Sequence, residues 1–484
     1  MKLSKLLLSL CLAVVSIHQA NAASGNKTLS NADQVKNCSF AKANNWWQAT
    51  YATLPSAVAN NPTTGDPEFC EFYQFSQDWF LYLISPSPTK NLANWQDPKQ
   101  FPLLETSGTD SCDNDVPKNA FNVRTVKSTD AKEDFVIPER IDQAGHNVYA
   151  IYDQQGNIVF YEVRFSINLC DYKKIQMKNN FPGKTAELKM AWRVLTKNDS
   201  KDNFYHMEAT ISGKPYLLGL VGWHIVVAAD NHPEMVWMTL DHKSNAVECT
   251  KIAASQNAYD FTSAACAQNA ADCNNLNQTL KSTAITLPST VQPNDICQQF
   301  KYGTLEGQPI TTKDGLNIAL VKKLNGELQS LFTQPKLPKS LAVWKHYQVT
   351  GALWISDINK DSSDTTNQRG SLELANTVME TEFQGTAGQA NSATNCFACH
   401  NYSATQSNTS TSAGLSHIFD DIIAGQQCRD VQSSVTINSQ PQAQTQCPTT
   451  CKTAGALKWN GQWTNQDAKT GKQLPMTVCG CCPN

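Results

Sequence analysis

The chain has 484 residues, with 39 Lys+Arg against 42 Asp+Glu, 40% hydrophobic residues, 9% aromatics and 17 cysteines. That is enough apolar material for more than one domain, which excludes a wholly disordered chain. Charged residues make up 17%, below the ~25% usual for soluble domains, and with no basic stripe to neutralise phosphates a nucleic-acid partner has no electrostatic footprint.

Met1-Lys2-Leu3-Ser4-Lys5, the apolar run over residues 6–17 and Ala20-Asn21-Ala22 have the layout of a secretory signal cleaved after Ala22. Cys11 follows Leu10 rather than a small residue, so a lipidated N-terminus is not expected. No later run reaches the ~18 apolar residues of a membrane-spanning helix. The expectation is an exported bacterial protein, periplasmic or secreted, with no membrane anchor.

Residues 147–152 and 158–165 flank Gln154-Gln155-Gly156-Asn157 and read as a hairpin. Strand text rich in aromatic and β-branched residues continues over 188–195, 205–211, 216–228 and 235–241, and returns over 344–355. Leu316, Ile318, Leu320, Val321, Leu324, Leu328 and Leu331 follow a 3.6-residue period, which predicts a helix over 314–332 despite Gly315 and Gly326. Residues 371–383 read as a shorter helix. In it Glu380 and Glu382 would point to different sides as solvated acids and form no acid-base dyad. The polar tract 433–446 reads as a linker or domain start.

Removal of Cys11 leaves 16 cysteines in an oxidising compartment, and two of them belong to Cys396-Phe397-Ala398-Cys399-His400. Cys-x-x-Cys-His is the arrangement that attaches haem c: two thiols form thioethers, and the next histidine meets the iron. One covalent haem at Cys396, Cys399 and His400 is therefore expected, and the remaining fourteen cysteines suit disulfides in two separately stapled regions. Cys428, Cys447, Cys451, Cys479, Cys481 and Cys482 would stand in for a core that fewer than sixty residues cannot easily build.

For the opposite face of the iron the candidates are His224 and His242, ahead of His206, His346 and Met379. His224 interrupts a strand apolar on both faces, where a neutral imidazole needs a partner. In a hairpin about His232-Pro233, an even pairing sum would put His224 and His242 on one face and an odd sum would separate them. The sequence leaves the register open.

Ala191-Trp192-Arg193-Val194-Leu195, Gly222-Trp223-His224-Ile225-Val226, residues 237–245, Leu374-Ala375-Asn376-Thr377 and Glu380-Thr381 resemble an exported bacterial cytochrome c family over most of residues 140–425. The resemblance implies one covalent haem in a domain unlike small all-α cytochromes. Cys447-Pro448-Thr449-Thr450-Cys451, Trp459-Asn460-Gly461-Gln462-Trp463-Thr464 and Met476-Thr477-Val478-Cys479-Gly480-Cys481 resemble one repeat of the cyanobacterial mannan-binding lectin family. That likeness implies a sugar site at Trp459, Asn460, Gly461, Gln462 and Trp463, where rings face pyranose C–H groups and amides meet hydroxyls. A single copy would need dimerisation or a mannose-rich surface for avidity.

The fold class expected is α+β: a signal at 1–22, an antiparallel β-rich haem domain with flanking helices at 23–430, and a disulfide-rich β lectin-like module at 431–484. The preferred function is electron transfer to an undefined redox partner, with the module bringing the protein to mannose-containing glycans. The alternatives are a secreted adhesin with a structural haem and a peroxidase-like oxidoreductase. A hydrolase has no support, because neither a Gly-x-Ser-x-Gly elbow nor a His-Glu-x-x-His helix is present.

Overall fold

A computed structural model describes residues 29–40, 42, 46–47, 54–89, 92–103, 149–171, 180–211, 214–251, 259–269, 273, 278–279, 292–384, 395–400, 411–416, 418, 429–453, 458–466 and 473–482. The expected signal segment, Cys112 and Cys428 lie outside the described residues, as do the side chains of Cys399, Met476 and Cys482.

Seven strands build the principal sheet: β1 (Phe160–Phe165), β2 (Ala186–Val194), β3 (His206–Ile211), β4 (Lys214–Ala229), β5 (His232–His242), β6 (Tyr347–Ile355) and β7 (Gln368–Gly370). The order is β7-β6-β5-β4-β2-β1, all antiparallel, and β3 pairs with the first part of β4. β4 is apolar almost without interruption because the sheet is covered on both faces.

On the first face Met190, Trp192, Trp223, Ile225, Met238, Leu240 and Trp354 share one core with residues of the helices α2 (Phe69–Ile84) and α3 (Lys313–Phe332). The shorter α1 (Asn31–Asn37) contacts α3. α3 starts where Thr312 Oγ1 accepts from Gly315 N at 3.1 Å, and its predicted apolar stripe is buried, Ile318 included. The sequence assigns no helix to 69–84, where Phe, Tyr, Trp, Leu and Ile cover α2 except for a narrow side marked by Glu71, Gln74 and Asp78. Cys38–Cys70 ties α2 to the segment after α1. Trp79, Trp95, Trp192, Trp223 and Trp344 are fully buried here, and a large apolar side chain removed from water contributes about 1.5–3 kcal/mol.

Two smaller clusters cover the second face. One joins Val163, Phe165, Val226, Trp237 and Leu353 to Leu374, Phe397, Leu415 and Ile418; the other joins Tyr161, Ala191 and Val221 to Val378, Met379 and Phe261. The segment 371–384 lies between them. The sequence predicts a helix there, but the backbone runs through turns to a single 3-10 turn at Thr381–Phe383. Side chains compete for the amides that a helix would use: Glu380 Oε2 accepts from Asn376 N at 2.9 Å, and Asn376 Oδ1 accepts from Val378 N at 3.0 Å.

The hairpin expected over 147–165 keeps its turn, with Asp153 N donating to Asn157 O at 2.9 Å and Tyr152 bridging Ile158. It does not extend further. Leu103 bridges Arg164 on that edge of β1, and Tyr149–Ala150 pairs with Gln278–Thr279 instead.

The C-terminal region is a helix, α4 (Gln440–Thr453), against three strands, β8 (Arg429–Gln432), β9 (Lys458–Gln466) and β10 (Gln473–Cys482), in the order β8-β10-β9. Of the two readings of the tract 433–446, linker or domain start, the second fits, since the tract belongs to this folded unit, whose edge strand β8 begins two residues ahead of the start expected at 431. Cys447 and Cys451 are one helical turn apart, Cys479 and Cys481 share one strand face, and they pair as Cys447–Cys479 and Cys451–Cys481. With Ile437 and Ala443 these half-cystines are the core. Cys249–Cys297 and Cys266–Cys273 staple the larger region, where Cys170 is also disulfide-bonded. These bridges fit an oxidising, extracytoplasmic compartment. No helix among the described residues is long and apolar enough to cross a membrane.

A Cβ added at Gly222 would lie 2.6 Å from Asn376 Oδ1 and 2.8 Å from Val378 Cγ2, so this position has to lack a side chain for 371–384 to lie flat. Gly222→Ala is expected to lower the thermal midpoint by an amount equivalent to about 2 kcal/mol. A midpoint equal to that of the parent protein would show that the contact is not needed.

Candidate functional site

The Cys396–Cys399 turn opens with Asn395 as its N-cap, Oδ1 accepting from Phe397 N at 2.9 Å. Asn395 Nδ2 donates to Gln368 Oε1 at 2.8 Å and Leu372 O at 2.6 Å, which pins the turn beside β7. Phe397 is fully buried against Trp237, ring centroids 5.6 Å apart, whereas Cys396 is half-buried. The Phe between the two thiols thus anchors the motif to the second face of the sheet.

His400 is also buried, with its ring 4.5 Å from that of Trp237. Its Nδ1 lies 2.9 Å from Leu415 O. A carbonyl oxygen can only accept, so Nδ1 carries the proton and a neutral ring keeps its lone pair on Nε2. This is the tautomer that a metal-binding imidazole with a backbone second partner adopts. Nothing in the sequence points to Leu415, whose contribution is a main-chain atom.

The β4–β5 register pairs Trp223 with Leu240 and His224 with Thr239, an odd sum. His224 and His242 therefore lie on opposite faces. His224 shares the second face with Trp237, one same-face row away, and so lies on the side of His400. His224 Nε2 bonds Glu380 Oε1 at 2.8 Å, which leaves Nδ1 as the nitrogen able to meet a metal. Glu380 is thus no solvated acid; its carboxylate bridges His224 and the Asn376 amide, because 371–384 turns back onto the sheet instead of forming a helix.

His242 is committed elsewhere. Its Nε2 donates to Asn203 O at 2.9 Å, its Nδ1 accepts from Ser244 N at 3.2 Å, and its ring stacks on Phe204 at 4.2 Å. Burial pulls its pKa down to about 3, so it stays neutral. His206 Nδ1 bonds Phe204 O, His346 lies beside His242, and Met379 is buried in the second-face core. Among the described residues no group of three or more His, Cys, Asp or Glu is arranged to hold a bare metal ion.

Next to His224 on this face lies Asp241, fully buried. It accepts from Asn245 Nδ2 at 2.9 Å, Gln298 Nε2 at 3.1 Å and Thr377 Oγ1 at 3.1 Å, while Asn376 Nδ2 donates to Thr239 Oγ1 and Leu240 O. Burial outweighs these bonds and pushes the Asp241 carboxyl up to about 6.

In the C-terminal module, Trp459 pairs with Cys481 and Trp463 with Cys479, so β9 spends two residues more than β10 between those rungs. Asn460, Gly461 and Gln462 bulge out and are exposed, and both Trp side chains stay half-exposed. Gly461 has φ +90° with open space around it, so backbone conformation and not crowding calls for glycine. Trp459 Nε1 donates to Gln462 O at 2.7 Å, Gln462 N donates to Asn460 Oδ1 at 2.9 Å, and Trp463 Nε1 donates to Gln440 Oε1 at 2.7 Å. The bulge is braced before any ligand arrives, and Gln440 is a participant that the sequence does not single out.

Residues 440–481 match the family model for MVL, the mannan-binding protein. The C-terminal module is mannan-binding-protein-like. No curated protein and no solved structure matches the chain, and none of the comparisons supports the expected likeness of residues 140–425 to exported cytochromes.

Because the folded-state pKa of Asp241 is raised, its contribution to stability is full below about pH 4 and is lost as pH climbs through about 6. Asp260, also raised to about 6, is unchanged in an Asp241→Asn variant and cancels in the comparison. The parent protein is expected to lose about 3 kcal/mol relative to Asp241→Asn between pH 4 and pH 7, read from urea midpoints. A pH-independent difference would refute this.

Proposed function

We propose that this is an exported glycan-binding protein whose mannan-binding-protein-like module holds mannose-containing oligosaccharide at the Asn460-Gly461-Gln462 bulge. The observation that carries the reading is that this exposed bulge, with a half-exposed Trp at each end, falls inside the segment matched to mannan-binding protein. Indole faces suit the C–H side of a pyranose, and the free Asn460 Nδ2, the Gly461 backbone and the Gln462 amide suit its hydroxyls. Affinity for neutral glycan would come from several weak contacts, so dimers or dense mannose would strengthen it.

A second reading is favoured by the His400 tautomer: one haem c fastened at Cys396 and Cys399, with His400 as the proximal ligand. The residues fit the group. Positions 396 and 399 stand at i and i+3 of one turn, Phe397 roots that turn in the core, and the Leu415 carbonyl holds the Nδ1 proton, which puts the lone pair of the neutral ring on Nε2. His224, held by Glu380 on the same sheet face, is the preferred second ligand through Nδ1; His242 would have to give up both of its ring bonds. Bound haem would supply one-electron chemistry, with electron transfer preferred over peroxide chemistry. Asn395 and Phe397 position the turn, and Trp237 walls off water beside His400.

Trp463→Ala is expected to weaken retention on immobilised mannan at least tenfold while covalent haem, read by pyridine haemochrome, is unchanged. Retention equal to that of the parent protein would remove the bulge from the sugar site. Cys399→Ser is expected to do the reverse, with loss of most covalent haem and full mannan retention. A parent protein matured with haem-attachment machinery that shows no Soret band and an apo-polypeptide mass would end the haem reading and leave the glycan reading intact.

A further inference from the structure

Beside the start of α2 and the outer ends of β6 and β7 lies a cavity of about 270 Å3, lined by no residue of the Cys396–His400 turn or of the C-terminal module. Phe72 and Trp354 floor it, stacked at 3.9 Å with planes 9° apart, and Phe69 adds apolar wall. Phe72 and Trp354 are each only 4% exposed. The floor therefore shows edges and not the broad open ring on which a pyranose would stack, and a hydrocarbon end fits it better than a sugar.

Arg369 is the one residue of the polar lining with a permanent positive charge. Arg369 Nη1 donates to Thr366 O and Gln368 O, both at 2.7 Å, which anchors one arm of the guanidinium. No carboxylate among the described residues forms an ion pair with Arg369, and its fork is the group best shaped for a carboxylate. His232 lies across the floor, its Nδ1 on Glu234 at 2.8 Å and its ring 4.5 Å from Phe72, with Nε2 left for a ligand. Glu68 is the one acid in the lining, and burial together with Glu71 and Asp66 pushes its carboxyl up, towards the neutral form.

We propose that this cavity binds a small monocarboxylate with an apolar body, the carboxylate on Arg369 and the hydrocarbon end over Phe69 and the exposed edge of Phe72. The size admits a ligand at the small end of ordinary pockets, about a single ring with a short acid chain.

The test is isothermal titration of the full chain with 3-phenylpropionate, phenethylamine and methyl α-mannoside. Expected are saturable binding of 3-phenylpropionate, at least tenfold weaker binding of phenethylamine, and no competition by the mannoside. Arg369→Gln should weaken 3-phenylpropionate at least tenfold, with Arg369→Lys in between; Glu68→Gln, which removes the opposing acid, should leave it equal or tighter. Absent binding, preference for the amine, displacement by the mannoside, or a loss in Glu68→Gln would each overturn the proposal. If Arg369→Gln fails to fold by near-ultraviolet circular dichroism, the amine comparison and the Glu68→Gln result still decide it.

Discussion

The bare backbone at Gly222 sets the second face of the sheet. Because no Cβ stands there, the Asn376 amide reaches the strands and bonds Thr239 Oγ1 and Leu240 O. That contact fixes the direction of residues 371–384, so that Thr377 meets Asp241 and Glu380 meets His224. Leu374, at the start of the same segment, enters the apolar cluster that also holds Phe397. The placement of the Cys-x-x-Cys-His turn beside Trp237 therefore follows from one missing methyl group on a central strand. Polar side chains buried in this band are satisfied mainly by one another and by the segment above them, which is the condition under which burial is tolerated.

What the sequence reveals follows the range of the physics involved. Strand 214–229 is legible because burial on both faces writes nearly continuous apolar text, 186–194 and 232–242 because aromatic and aliphatic residues stand between turn clusters, and α3 because only one of its sides is buried. α2 is hidden by a wide apolar side that leaves only Glu71, Gln74 and Asp78 to mark the polar one. The Cys396-to-His400 motif is local and readable, yet its key partner is the carbonyl of Leu415, which no side-chain pattern marks. Choosing between His224 and His242 needed the strand register, a parity that depends on the whole hairpin. Glu380 reads as a surface acid only while 371–383 is taken for a helix, and the side-chain bonds that break that helix also bring the acid inward.

The C-terminal module illustrates a different balance. Its helix carries four Thr and, in its interior, Pro448, all poor helix formers, and the tract before Cys447 has the composition of a linker. Covalent pairing supplies what composition withholds, since two half-cystines from α4 and two from β10 form most of the buried core. Trp459 and Trp463 pack against that core on one side and stay half-exposed beside the bulge, with Nε1 atoms bonded so that ring orientation is set in advance. The match to mannan-binding protein begins at Gln440, the residue whose side chain braces Trp463.

The two cross-links between α4 and β10 have a topological consequence. They close the segment from Cys451 to Cys479, and the bulge within it, into a covalent loop. Unravelling that starts from residue 429 can peel β8 and unwind α4 only as far as Cys447, because from there on the last turn of the helix and β10 stay joined through sulfur. The surface loop that carries the bulge is thereby insulated from fraying that begins on the side of the larger region.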